Sequence, residues 1–122
     1  MHPLVSLIAR ILLSAIFIHS GFGKITAYAA TQAYMEQHGV PGVLLPVVIA
    51  VELLGGLAVL FGIWSRYAGL ILALFTLAAA AVFHNNFADQ MQMINFMKNV
   101  AMAGGLLLLF ANGSGHYAVR PD

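Results

Sequence analysis

The chain has 122 residues, 61% of them hydrophobic and only 7% charged, with a mean hydropathy of +0.92. A soluble domain carries about 25% charged residues, so this chain needs lipid as its solvent, and a net charge of +1 offers no attraction for nucleic acid. The absence of cysteine excludes thiol–disulfide catalysis, iron–sulfur ligation by Cys and covalent haem attachment through C-x-x-C-H.

Four apolar stretches are long enough to cross a bilayer core, which takes roughly 20 residues at 1.5 Å each. The first covers residues 4–24. Arg10 interrupts its apolar run and no basic region precedes it, so it reads as a span and not as a cleaved signal. The segment after it, "TAYAATQAYMEQHG", reads as a short interfacial helix over about 26–38, closed by Gly39. Pro41 and Pro46 introduce the second span, residues 43–63. The third covers 67–84 after the break "WSR", and the fourth covers 94–111 after "HNNFADQMQM". Exposed loops and open sheets cannot persist in lipid. The expected architecture is therefore one all-α domain, a four-helix bundle running up-down-up-down. An even number of spans puts both termini on one side. Arg10, Arg66 and Arg120 lie toward that side and Lys24 and Lys98 toward the other, which favours cytoplasmic termini.

Helical spacing gives each span one stripe of small and polar residues: Arg10, Ser14, Phe17, Gly21 and Lys24; then Glu52, Gly55, Gly56 and Val59; then Arg66, Gly69, Ala73, Thr76, Ala80 and His84; then Asn95, Lys98, Met102, Gly105 and Leu109. Small residues on such stripes let membrane helices approach closely, which assigns Gly21, Gly55, Gly56, Gly69, Gly104 and Gly105 to packing. The charges need another reason. Glu52 stands alone in "VVIAVELLGGLAVLFG", and a carboxylate at that depth costs on the order of 3 kcal/mol unless it takes a proton or a cation. Arg10 is the expected partner: level inner helix ends leave an axial gap of roughly 8 Å, and the guanidinium offers a bidentate fork. Such an ion pair would fix helix register. The functional alternative is a polar pocket with Glu52 at its floor and Lys24, His84, Asn85, Asn95 and Lys98 on its outer rim. Those donors suit the carbonyls of a quinone, and equally an anion or a lipid headgroup. His19 falls opposite Arg10 on its helix, toward lipid, which argues against a haem shared with His84. No metal-site spacing, phosphate loop or catalytic triad pattern is present.

The ordered set of motifs resembles a known family. "RILLSAIFIHSGFGK", "VELLGGLAVLFGIWSRYAGLILALFTLAAAAVFH" and "NFMKNVAMAGGLLLLFANGSGHYAVR" are similar to the DoxX family of small four-span membrane proteins, matching at Arg10, Gly21, Lys24, Glu52, Gly55, Gly56, Gly62, Arg66, His84, Asn95, Gly104 and Gly105. The tail "GSGHYAVRPD" departs from the family ending, so the resemblance assigns it no role. The family is related to the DoxD subunit of archaeal thiosulfate:quinone oxidoreductase. The resemblance therefore implies an inner-membrane protein that binds quinone or anchors a membrane oxidoreductase, not catalytic by itself. A non-catalytic scaffold for assembling other membrane proteins and a small oligomeric transporter are the alternatives. The implied partners are the bilayer, redox enzyme subunits and further copies of the chain.

Overall fold

The computed structural model describes residues 2–120. Five α-helices follow in order: α1 (Pro3–Thr26), α2 (Tyr28–Gln37), α3 (Leu45–Phe61), α4 (Ser65–Phe83) and α5 (Gln90–Asn112), with a 3-10 turn (Gly42–Leu44) leading into α3. Four segments are long and apolar enough to cross a membrane: α1, the 3-10 turn together with α3 (Gly42–Phe61), α4 and α5. They form an all-α, up-down-up-down bundle in which α1 packs on α3, α4 packs on α5, and α3 and α4 join the two pairs.

The helix ends follow from local chemistry. His2 Nδ1 accepts a hydrogen bond from Leu4 N–H, and Pro3 occupies the first turn of α1, where its missing donor costs nothing. The α3 helix stops at Gly62, which adopts φ +72°, a left-handed conformation open to glycine. The α5 helix starts a turn before the expected position 94. Asp89 caps it, its carboxylate accepting from Met91 N–H at 2.9 Å and Gln92 N–H at 3.4 Å. Hydropathy alone hides that start, because the first turn is polar.

The packed core occupies the half of the bundle nearer the termini. Phe17, Val59, Leu72, Ala73, Ala103 and Leu106 are buried against one another there. Outward-facing residues such as Leu12, Leu54, Leu74 and Leu108 are exposed and apolar, as a lipid-facing surface requires.

The register of α1 against α3 corrects the expected Arg10–Glu52 pair. A Cβ on Gly21 would lie 2.7 Å from Leu53 Cγ, and one on Gly56 would lie 3.0 Å from Ile18 Cγ1, so these two glycines set the closest approach. That register puts Arg10 beside the last turn of α3. Its guanidinium donates to the carbonyls of Val59 and Leu60, both at 3.2 Å, and to Tyr117 in the tail. A cation on the C-terminal carbonyls of a helix also complements the helix dipole. Val59 is about two turns, or 10 Å, from Glu52. Level helix ends were the wrong premise, because the first turns of α1 extend beyond α3.

The C-terminal tail fills the space left by that offset. Ser6 Oγ donates to Ser114 C=O, Val119 N–H to Phe61 C=O, and Arg120 N–H to Gly62 C=O. The Arg120 guanidinium lies 5.4 Å from the centre of the Trp64 ring. Arg66 donates to Ala111 C=O at the end of α5, so Arg10 and Arg66 each serve a helix C-terminus. Gly104, expected at a packing interface, has nothing within 4 Å of its would-be Cβ. Gly55 instead meets Leu72, Gly69 meets the Leu106 carbonyl, and Gly105 meets Leu13.

Candidate functional site

The other half of the bundle, under α2, holds a cavity of about 390 Å³. Volumes of roughly 300–1,000 Å³ are typical of small-molecule sites. All five helices contribute to its wall. Phe17, Val48, Phe75, Val82 and Met102 make most of it apolar, and Ser20, Lys24, Tyr34, Glu52, Thr76, His84 and Asn99 supply polar groups.

Lys24 and Glu52 form the charged element. Lys24 Nζ lies 2.7 Å from Glu52 Oε1 and donates to Ser20 Oγ at 2.7 Å. Glu52 is 3% exposed, and its Oε1 accepts no hydrogen bond beyond this ion pair. The ammonium donates a hydrogen bond to Ser20, and its contact with Glu52 is an ion pair. Local sequence explains the geometry. Ser20 precedes Lys24 by one helical turn on the same face, and Gly21, between them, lets α3 come close enough for the pair to form.

A second donor stands on α4. Thr76 is 2% exposed, lines the cavity, and its Oγ1 has no hydrogen-bond partner. A buried hydroxyl in that condition carries a desolvation cost of about 1–3 kcal/mol until something accepts from it. The carbonyl of Thr76 accepts from Asn99 Nδ2 at 3.4 Å, tying α5 to the same wall. At the outer margin, His84 Nδ1 meets Gln92 Oε1 at 3.3 Å.

The α2 helix covers the outer end. Met35 is buried, the Tyr34 ring stacks on Phe83 with centroids 5.4 Å apart, and the His38 ring lies 5.2 Å from Phe83. The cover is thus pinned to α4 by aromatic contacts rather than by charge.

Of the expected site residues, Glu52, Lys24 and His84 come together at this cavity. Asn95 and Lys98 do not. Lys98 faces outward on α5 in a separate shallow depression with Gln90, Met93, Ile94, Met97 and Ala101. Sequence reasoning followed Asn95 and Lys98 along the α5 stripe and missed Asn99, although Asn99 is four residues from Asn95 and three from Met102, the spacing of one face. His19 is exposed on α1, away from the cavity. Among the described residues there is no group of three or more His, Cys, Asp or Glu placed to hold a metal ion.

The model of the DoxX family matches residues 5–85, which runs from α1 through the end of α4 and includes Lys24, Glu52 and Thr76. This chain belongs to the DoxX family. It is 52% identical over 113 residues to the inner membrane protein YqjF of Escherichia coli (strain K12), covering 93% of this chain and 87% of YqjF. It is 36% identical over 120 residues to the inner membrane protein YphA of the same organism, covering 93% and 86% of the two chains. It is also 31% identical over 74 residues to the putative oxidoreductase CatD of Bacillus subtilis (strain 168), covering 61% of this chain and 55% of CatD. No solved structure matches it. With inner-membrane relatives aligned along nearly its whole length and four apolar spans of its own, this DoxX chain is a multi-pass inner-membrane protein.

Proposed function

We propose that this DoxX protein binds a quinone in the cavity under α2, and serves as the quinone-binding or anchoring subunit of a membrane oxidoreductase. The observation that carries the reading is the pairing of an apolar cavity with polar donors at its wall, the Lys24 ammonium, hydrogen-bonded to Ser20 and ion-paired with Glu52, and the unpartnered hydroxyl of Thr76. An oxidised quinone presents a flat apolar ring with carbonyl acceptors and no donors, which complements that wall. Glu52 decides against an anion: it already neutralises Lys24 at 2.7 Å, so the pair offers polarity without net positive charge. A reduced quinone would carry hydroxyl donors, which the Glu52 carboxylate is placed to accept. The oxidoreductase named among the relatives adds support for a redox setting, while the residues here supply binding and not electron transfer.

The test is thermal unfolding of the purified protein with and without a short-chain benzoquinone. Binding to the folded state alone raises stability by about 2.7 kcal/mol at a hundredfold excess over Kd. The shift is expected in wild type and in Lys98→Ala, and is expected to vanish in Lys24→Met and Glu52→Gln. No shift in wild type, together with no quinone in mass spectra of the natively extracted protein, would overturn the proposal and leave the scaffold reading in its place.

A further inference from the structure

We propose that the ligand enters this cavity sideways from the bilayer, through a gap between α1 and α5, and that it carries an apolar chain lying in that gap. The identity of the ring rests on the quinone reading above; the route rests on packing. The α1 and α5 helices meet only sparsely, with Leu13 against the backbone of Gly105 at the end nearer the termini. Beyond that contact, Ile16 and Ser20 on α1 and Asn99 and Met102 on α5 are cavity wall. Ile16 is both wall and surface, 48% exposed, so at this edge a single side chain separates the cavity from the lipid-facing surface. Ile16 lies about 15 Å along α1 from its outer end at Thr26, which is near the middle of a core about 30 Å thick. An opening at that depth faces hydrocarbon and no water.

The polar groups are segregated accordingly. Lys24 stands two turns above Ile16 toward the α2 end, with Ser20 one turn below it, whereas Ile16 and Met102 themselves offer aliphatic and thioether surface. A ligand with a polar ring near Lys24 and a chain running past Ile16 and Met102 satisfies both regions. From the aqueous side, α2 and the Tyr34–Phe83–His38 ring cluster stand over the cavity. A chainless, water-borne ligand would have to displace that cover.

The experiment uses the full-length protein in nanodiscs and two probes: dimethoxy-methyl-benzoquinone bearing a decyl chain, and the same ring without it, each counted per lipid. Ile16→Trp fills the gap. It is expected to weaken the decyl compound about tenfold or more and to leave the bare ring within about twofold. Leu12→Trp, on the lipid surface outside the cavity, is the control and changes neither. The route is overturned if Ile16→Trp affects both probes equally or neither, or if the effect belongs to Ala78→Trp, at the exposed wall residue of α4. If neither probe shifts the wild-type protein, the quinone reading fails and this inference falls with it.

Discussion

The most informative residue is Glu52, because the same side chain has a structural and a functional account. Its ion pair with Lys24 is partly shielded: Glu52 is 4% exposed and Lys24 26% at the side chain. Removing one partner of a buried pair strands the other charge, while replacing both with apolar groups is often neutral. With the solvent access of Lys24 discounted, Lys24→Met and Glu52→Leu are each expected to cost on the order of 2 kcal/mol, and the double variant to recover most of it. Urea or thermal unfolding of the four proteins checks this. Additive losses would mean that the two side chains act independently. A pair kept for packing alone would leave the quinone shift intact in the double variant; a pair kept for the ligand would lose it despite restored stability. At this scale the sequence was half legible. The isolation of Glu52 in an apolar run announced a partner, and its face on α3 was readable from Gly56. Which cation it meets depends on the α1–α3 register, and that is set by Gly21 against Leu53 and Gly56 against Ile18, contacts no single helix displays.

At the scale of elements, the tail was the least legible part. "NGSGHYAVR" has no periodicity to read, and its order comes from long-range partners: Ser6, Arg10, Phe61 and Gly62. The four spans were legible because lipid forces each to satisfy its own backbone. The tail instead fills the space that helices of unequal offset leave open. Gly62 shows how tight that closure is, since a Cβ there would run into Ala118 and the Arg10 guanidinium. If the tail seals this end, its loss must expose Ser6, which is 3% exposed. The chain has no cysteine, so Ser6→Cys provides a single clean probe. Labelling of that thiol by a water-soluble maleimide is expected to be slow in the full chain and at least about tenfold faster when the chain is ended after Asn112, as local protection by burial requires. Equal rates would show that the tail does not shield this end.

At the scale of the whole molecule, the expected orientation in the membrane rests on the basic residues near each end of the bundle. The positive-inside rule counts Lys and Arg near the span ends on each side. Arg10 lies deepest of the basic residues on the side of the termini, 1% exposed and bonded to carbonyls of α3 and the tail. Lys24 is neutralised by Glu52. Arg66, on the Ala111 carbonyl, and Arg120, beside the Trp64 ring, lie at the end carrying the termini, against Lys98 toward the other. The bias favours cytoplasmic termini. Green fluorescent protein fused after Asp122 is therefore expected to fluoresce and alkaline phosphatase fused there to be inactive, with the opposite result for fusions in the segment 84–89 between α4 and α5. The reversed pattern would refute this orientation. It bears on the site as well: with the termini inside, the cavity holding Lys24 and Glu52 lies in the outer half of the membrane, nearer the periplasmic side than the cytoplasm.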